Sequence, residues 1–168
     1  MRRFTVVIFI VIAVMLQVSI FSRFQILSGK LDLLLLMVVA WALQPEISVT
    51  DIVLFSILTG LIIGFISAEP IWILVSVYLL SALFSNYLKN RFVQIPILLM
   101  FMSGLIFTFF HMLISLLVFQ ISGSIIDLRT GLEIVIMPSL MLSLIAALPV
   151  YLLVGELRRL TFPSLEEI

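Results

Sequence analysis

Long apolar stretches fill most of this chain, and only short polar joints separate them. A helix rises about 1.5 Å per residue, so about 20 apolar residues cross a hydrocarbon core of about 30 Å. Residues 93–121 carry no formal charge apart from the one that His111 can take up. In hydrocarbon, backbone groups find no water and must bond within a helix. The pattern therefore predicts an all-α, polytopic integral membrane protein.

The spacing of the polar joints predicts six transmembrane helices in a single domain that covers residues 1–168. The second stretch reaches only about 20 Å, so it must recruit flanking residues or be shielded by neighbouring helices. Pro96 is expected in the first turn of the fifth helix. The first stretch is too long for a signal peptide and is expected to stay in the protein. The predicted spans cover residues 4–22, 31–43, 52–68, 71–88, 93–121 and 132–154.

The distribution of basic residues predicts the orientation, because lysine and arginine accumulate on the cytoplasmic side. One side of the predicted bundle receives Arg2, Arg3, Lys89, Arg91, Arg158 and Arg159, and the other receives Arg23, Lys30 and Arg129. Both termini are therefore expected in the cytoplasm. The basic patch of Lys89, Arg91, Arg158 and Arg159 either marks topology and attracts anionic lipid headgroups, or it docks a cytoplasmic partner.

The composition excludes several classes of function. Hydrophobic residues make up 64% of the chain, and nine basic residues balance nine acidic ones, which argues against a nucleic acid partner. Because there is no cysteine, disulfides, thiolate metal sites and cysteine nucleophiles are excluded. No nucleotide-binding motif occurs. No catalytic residue, cofactor or metal is predicted, and the chain is expected not to be an enzyme.

The third predicted span carries small residues at four-residue spacing, which places them on one face of the helix. Ser56, Gly60 and Gly64 form this face and would let another backbone approach closely. We interpret it as a surface for a partner helix, and packing within the chain is the alternative.

The only histidine of the chain lies on a second such face, in the fifth span. Gly104, Thr108, His111 and Ser115 are spaced four, three and four residues apart and share one side of the helix. The first three are assigned to partner packing as well. A proton relay or metal site would need further ligands, and no Asp, Glu or Cys is predicted at the same depth. His111 is therefore expected to be neutral and hydrogen-bonded to a neighbouring helix.

Four further charged residues, Asp32, Glu69, Asp127 and Arg129, are predicted on the outer side. Asp32 begins the second span, where a carboxylate faces the positive end of the helix dipole. Glu69 lies in the turn before the fourth span. Asp127 and Arg129 lie in the joint before the sixth span, and local ion pairs are expected among Asp127, Arg129 and Glu133.

Residues 31–40, which begin with a Leu-Asp pair and continue as an apolar run, resemble the start of the second span in the MreD family of rod shape-determining membrane proteins. That family usually follows it with a glycine-rich third helix, a short acidic loop and a helix that ends in basic residues. Here those parts are residues 60–65, 69–71 and 87–91. The loop acid is Glu69 where the family usually has aspartate, and the glycine expected after it is missing.

The resemblance implies a six-helix fold similar to the substrate-binding subunits of energy-coupling-factor transporters. It also implies a non-enzymatic scaffold of the cell-elongation machinery in the bacterial inner membrane. Such a protein would bind a bitopic MreC-like protein and, through it, the lipid-linked glycosyltransferase and transpeptidase of peptidoglycan synthesis and the MreB filaments.

Two other classes of function are weighed against the scaffold. A vitamin-binding subunit of an energy-coupling-factor transporter would need an outer pocket with convergent polar groups. The candidates for such a pocket are Arg23, Gln25, Lys30, Asp32, Glu69, Asp127 and Arg129. An intramembrane enzyme centred on His111 is the third class.

Overall fold

The computed structural model describes residues 10–21, 29–45, 47–67, 69–92, 96–121 and 128–161. These residues are mostly helical, and they contain no strand. A π-helical turn, Gln17–Phe21, overlaps the end of the first helix and continues beyond it, and a second π-helical turn, Leu132–Ile136, leads into the last helix. The helices are α1 (Ile10–Ser19), α2 (Leu33–Leu43), α3 (Val49–Ile66), α4 (Ile71–Arg91), α5 (Pro96–Ile121), α6 (Leu128–Gly131) and α7 (Met137–Thr161).

In the described part of the chain, four helical segments are long and apolar enough to cross a membrane, which confirms the all-α class and supports a membrane protein. They are α3, α4, α5 and the continuous run Arg129–Arg159, which contains α7. Helices α1 and α2 are apolar but shorter, with ten and eleven residues in Ile10–Ser19 and Leu33–Leu43. Residues 4–9 and 22 of the first predicted span lie outside the described residues. Pro96 is the first residue of α5, as predicted.

The short helix α2 forms the centre of the bundle. All eleven of its residues are buried, and it contacts α3, α4, α5 and α7. Trp41 of α2 stacks on Phe55 of α3, with the ring centroids 5.2 Å apart. A helix that touches only protein has no need to match the thickness of the lipid. Shielding by neighbours, one of the two predicted solutions, therefore explains its length.

Helix α4 holds α2 by polar contacts at both ends. At the start of α2, the Tyr78 hydroxyl donates a hydrogen bond of 2.7 Å to the Asp32 carboxylate. At its end, the Lys89 ammonium donates one of 3.1 Å to the carbonyl of Gln44. The second contact satisfies a backbone carbonyl at a helix C-terminus, where the helix itself offers no donor. The two bonds fix the position of α2 along α4.

The small-residue face of α3 packs against α4 of the same chain, so the prediction that Ser56, Gly60 and Gly64 offer it to a partner is wrong. All three residues are buried. A Cβ atom added to Gly60 would lie 2.9 Å from Cα of Val75, and one added to Gly64 would lie 3.1 Å from Ile71. The tight turn before α4 brings the two helices together, and only glycine allows their backbones to come this close. This face therefore packs within the chain, which was the alternative interpretation.

Candidate functional site

Three ionisable side chains that are far apart in sequence meet inside the bundle. Nδ1 of His111, in α5, lies 3.0 Å from Oδ2 of Asp32, the residue that precedes α2. Nε2 of His111 lies 3.2 Å from Oε2 of Glu69, in the turn between α3 and α4. We call these residues, together with Tyr78 and Ser115, the ionic cluster. It joins three separate elements of the fold at one imidazole ring.

The Asp32 carboxylate is fully engaged. Its Oδ1 accepts hydrogen bonds from the Tyr78 hydroxyl at 2.7 Å and from the Leu35 backbone N–H at 3.0 Å. The second bond is a helix N-cap, the position where aspartate is among the preferred residues. With Oδ2 facing His111, both oxygens have partners, and the side chain is only 8% exposed. Local helix capping thus also delivers the carboxylate to the cluster.

Glu69 is the member of the ionic cluster that lies closest to the surface. Its side chain is 17% exposed, against 7% for His111. The Ser115 hydroxyl, one helical turn after His111, donates a hydrogen bond of 2.8 Å to Oε1 of Glu69. The spacing of four residues puts Ser115 and His111 on one side of α5, so both can reach the same carboxylate.

The proton count of the cluster follows from its geometry. A neutral imidazole has one N–H donor, whereas both nitrogens of His111 face carboxylate oxygens. Either the ring is doubly protonated between two carboxylates, or it is neutral and one carboxyl carries the proton. Both arrangements leave one net negative charge on Asp32, His111 and Glu69 together. The expectation that no acid lies at the depth of His111 is therefore wrong.

The electrostatics of Glu69 reflect two opposing effects. Burial raises the pKa of this carboxyl, but the hydrogen bond and the charge of His111, with help from Ser115, outweigh it. The net pKa of Glu69 lies below its ordinary value of 4.5. The folded state therefore favours the ionised carboxylate.

Acidification should weaken the fold through Glu69. A carboxyl whose pKa is lowered on folding stabilises the protein above its ordinary pKa, and this contribution is lost as the pH falls through the lowered value. We expect the free energy of unfolding in detergent to decrease as the pH falls below 4.5. In Glu69→Gln this part of the pH dependence should be absent, which gives a flatter curve.

Glu133→Gln is the matched control, because Glu133 forms an exposed ion pair with Arg129. It should keep the pH dependence of the wild type. Identical acid unfolding curves for wild type and Glu69→Gln would contradict the stabilising role of this carboxylate.

The arrangement is unlike a hydrolytic triad. In such a triad a hydroxyl contacts the imidazole and is activated by it. Here both ring nitrogens face carboxylates, and the Ser115 hydroxyl contacts Glu69. Within the described ranges, no group of three His, Cys, Asp or Glu side chains could hold a metal ion. In the ionic cluster, the imidazole nitrogens and the carboxylate oxygens face one another, so they do not surround a point at which an ion could bind.

The acids reach His111 because α5 extends past the ends of its neighbours. His111 lies about 22 Å from the start of α5, and its 26 residues span about 39 Å. Tyr78, which bonds to Asp32, lies about 20 Å from the end of α4 at Arg91. Helix α4 ends and α5 begins at the same end of the bundle. Measured from that end, His111 and the Asp32–Tyr78 pair therefore lie at about the same height. The sequence prediction placed the helix ends at the membrane surface and His111 near the middle of the membrane. It therefore put Asp32 and Glu69 at a different depth from His111, although both contact it.

The remaining residues of the predicted α5 face also point inward, so their assignment to partner packing is wrong. Thr108 is buried, and a Cβ atom added to Gly104 would lie 3.1 Å from Cδ2 of Leu36. The face packs on the central helix α2, because the small Gly104 lets α5 approach it. Because His111 lies on this buried face, its side chain reaches the ionic cluster.

The other predicted charged residues lie at the two ends of the bundle. Arg129 and Glu133 form the expected ion pair, at 3.1 Å, and both are exposed. Asp127, Arg23 and Gln25 lie outside the described residues. The predicted basic patch gathers at the opposite end: Lys89 donates to Gln44 O, Arg158 donates to Pro45 O at 3.3 Å, Arg159 pairs with Glu156 at 2.9 Å, and Arg91 ends α4.

Comparisons with protein-family models, with curated proteins and with solved structures found no match to this chain.

Proposed function

We propose that this chain is a non-enzymatic membrane scaffold of the MreD type. It would support peptidoglycan synthesis during rod elongation, in the bacterial inner membrane, with six spans and both termini in the cytoplasm. Its direct partner would be the transmembrane helix of an MreC-like bitopic protein. Through that protein it would act on the lipid-linked glycosyltransferase, the transpeptidase and, indirectly, the MreB filaments.

One observation carries the proposal. Two of the elements on which the resemblance to MreD rests, the stretch of residues 31–40 and the acidic loop, meet in the fold. The stretch forms the buried centre of the bundle, and its Asp32 shares His111 with Glu69 of the loop. The two motifs therefore belong to one structural device in this chain, and the proposal rests on that contact.

The ionic cluster suits a scaffold, because it ties α2, α5 and the α3–α4 turn to one another. A partner binds more tightly to a surface that is already ordered, since less conformational freedom is lost on association. In lipid, helix association rests on close packing and a few hydrogen bonds, each worth about 0.6 to 2 kcal/mol. With the glycine faces of α3 and α5 used internally, the partner helix would pack on the apolar surface that faces lipid.

A vitamin-binding transporter subunit is less well supported. It would need Asp32 and Glu69 to line an outer pocket, whereas both carboxylates face His111. An enzyme centred on His111 would require access to the imidazole, whose side chain is 7% exposed.

Site-specific photo-crosslinking in rod-shaped bacteria tests the scaffold. A photoreactive residue would replace exposed apolar side chains on two faces of the bundle. We expect one of the two faces to give a crosslink to the MreC-like protein, because a packed helix touches only one stripe. The first set is Phe65, Trp72 and Leu80 of α3 and α4, and the second is Met137, Met141 and Ile145 of α7.

The buried position Leu36 is the matched negative control, since a probe there can reach only residues of the same chain. Crosslinks to the MreC-like protein from neither face, in cells where the protein is present at normal levels, would argue against the scaffold. Tight binding of a vitamin to the purified protein would favour the transporter instead.

A further inference from the structure

An apolar groove lies between α1 and α7 on the surface of the bundle. It has a volume of about 180 Å³, and all eight residues that line it are apolar. Its rim is open, since Ile12 and Leu16 of α1 and Leu153 of α7 are between 39% and 65% exposed. Its floor is formed by Leu33 and Met37 of the central helix α2. In a bilayer such a groove faces hydrocarbon and not water.

The floor of the groove is the part of α2 that comes closest to the surface. Leu33 and Met37 are 7% and 5% exposed, and no other residue of α2 exceeds 1%. The two residues are four apart and therefore share one face of the helix. Within the described ranges, α2 meets the surroundings of the bundle only along this face. A molecule in the groove would therefore touch a helix that lipid elsewhere around the bundle does not reach.

The groove is long and narrow, and it follows the axis of α2. Leu33, at the start of α2, lines one end of it, and Val154 of α7 lines the other. Val154 lies beside the end of α2, because a Cβ atom added to the next residue, Gly155, would contact the Gln44 side chain at 3.8 Å. The eleven residues of α2 rise about 16 Å, so the groove is about 15 Å long. Its volume of about 180 Å³ over this length makes it only a few ångströms wide.

These dimensions exclude a helix as the occupant. A helix is about 10 Å wide, so the helix of a partner or of a second copy could only lie across the rim. One apolar side chain from such a helix would fill only part of the length. An acyl chain is narrow and apolar, and in a bilayer it extends along the transmembrane helices, as the groove does.

We propose that this groove binds one acyl chain of a membrane lipid, which packs on the Leu33–Met37 face of α2. In lipid, the chain gains no hydrophobic free energy by leaving its neighbours, so binding rests on close packing against the floor and the two walls. The site does not depend on the proposed scaffold function.

Photolabelling of the full chain in lipid vesicles tests the site. The vesicles contain phosphatidylethanolamine, phosphatidylglycerol and a small share of phosphatidylcholine that carries a diazirine in the middle of one acyl chain. Tandem mass spectrometry locates the residues to which the photolysed chain attaches. We expect label on Met37 and on the exposed Trp72 of α4, but not on Leu36, which is 0% exposed.

Two variants and one control separate the groove from general contact with lipid. Ala13→Leu fills the groove from α1, and Ile12→Trp covers it from an exposed position of the rim, where a larger side chain does not disturb the core. In both variants the label on Met37 should fall to the level of Leu36, while the label on Trp72 persists. Val11→Trp is the matched control, because Val11 is 44% exposed and does not line the groove. It should leave the label on Met37 unchanged.

A wild-type label on Met37 no stronger than that on Leu36, with Trp72 labelled, would overturn the site. So would equal labelling of Met37 in the wild type and in both groove variants, because the chain would then reach α2 by another route. A photoreactive residue at Leu153 that crosslinks in cells to another protein and not to lipid would assign the groove to a side chain of that protein, against an acyl chain.

Discussion

Asp32→Ala should destabilise the folded protein by about 3–5 kcal/mol, the cost of removing one partner from a buried ion pair. The substitution takes the acceptor away from the Tyr78 hydroxyl and the Leu35 N–H, and it leaves Nδ1 of His111 without a carboxylate. All of these groups are buried, so water cannot replace the lost bonds at low cost. We expect the effect to be the largest of any single acidic residue in the described part of the chain.

Reversible unfolding by sodium dodecyl sulfate in mixed micelles measures this effect, with the near-ultraviolet circular dichroism of buried Trp41 as the signal. Glu133→Ala is the control, because its exposed pair with Arg129 should contribute at most about 1 kcal/mol. Asp32→Asn retains the shape of the side chain and one acceptor oxygen. Its loss of unfolding free energy should therefore lie between those of Asp32→Ala and Glu133→Ala. Equal losses in Asp32→Ala and Glu133→Ala would show that the ionic cluster does not hold the fold together.

The membrane class and most helix boundaries could be predicted from the sequence, because hydrocarbon leaves the backbone few alternatives. Helices α4 and α5 begin within three residues of their predicted starts, at Ile71 and Pro96. The sequence also showed that the second stretch is too short to cross a bilayer alone. It could not show that this stretch is the centre of the bundle, because hydropathy is the same whether a residue faces lipid or protein.

The ionic cluster could not be predicted, because depth in the membrane was inferred from position within each apolar stretch. That rule holds only when all helices have similar lengths and end at the same surface. Helix α5 is 26 residues long and α3 only 18, so equal positions within them do not mean equal depths. The signal was present in the composition: His111 is the only histidine, and it needed charged partners in a chain that has few.

The two ends of α2 show how polar groups can do structural work in a bundle with little polar surface. Asp32 caps the start of α2 and binds Tyr78 and His111, while Lys89 contacts the carbonyl at its end. Apolar packing among helices in lipid has little directional preference, since lipid and leucine are similarly apolar. These polar contacts define which helix neighbours which, and at what height. The surface on which we propose that a partner helix packs depends on that definition.

The close approach of α3 and α4 gives a second large effect, and it tests whether the glycine face serves the fold or a partner. Gly60→Ala should destabilise the protein by about 1–3 kcal/mol, the usual cost of overpacking. The added Cβ atom would lie 2.9 Å from Cα of Val75, a backbone atom that cannot move without shifting α4. Helix propensity favours alanine by about 0.5–1 kcal/mol, so a net loss of stability reports the clash alone.

Gly155→Ala is the matched control in α7, where the nearest atom to the added Cβ, Oε1 of Gln44, lies at 3.8 Å. It should leave the free energy of unfolding unchanged or raise it slightly, through the same gain in propensity. Both variants would be compared by the same unfolding assay and by co-purification with the MreC-like protein. If Gly60→Ala weakened co-purification while its free energy of unfolding stayed at the wild-type value, the face would serve the partner, against the packing described here. A loss of stability in Gly60→Ala alone would place the close contact of α3 and α4 among the interactions that hold the bundle together.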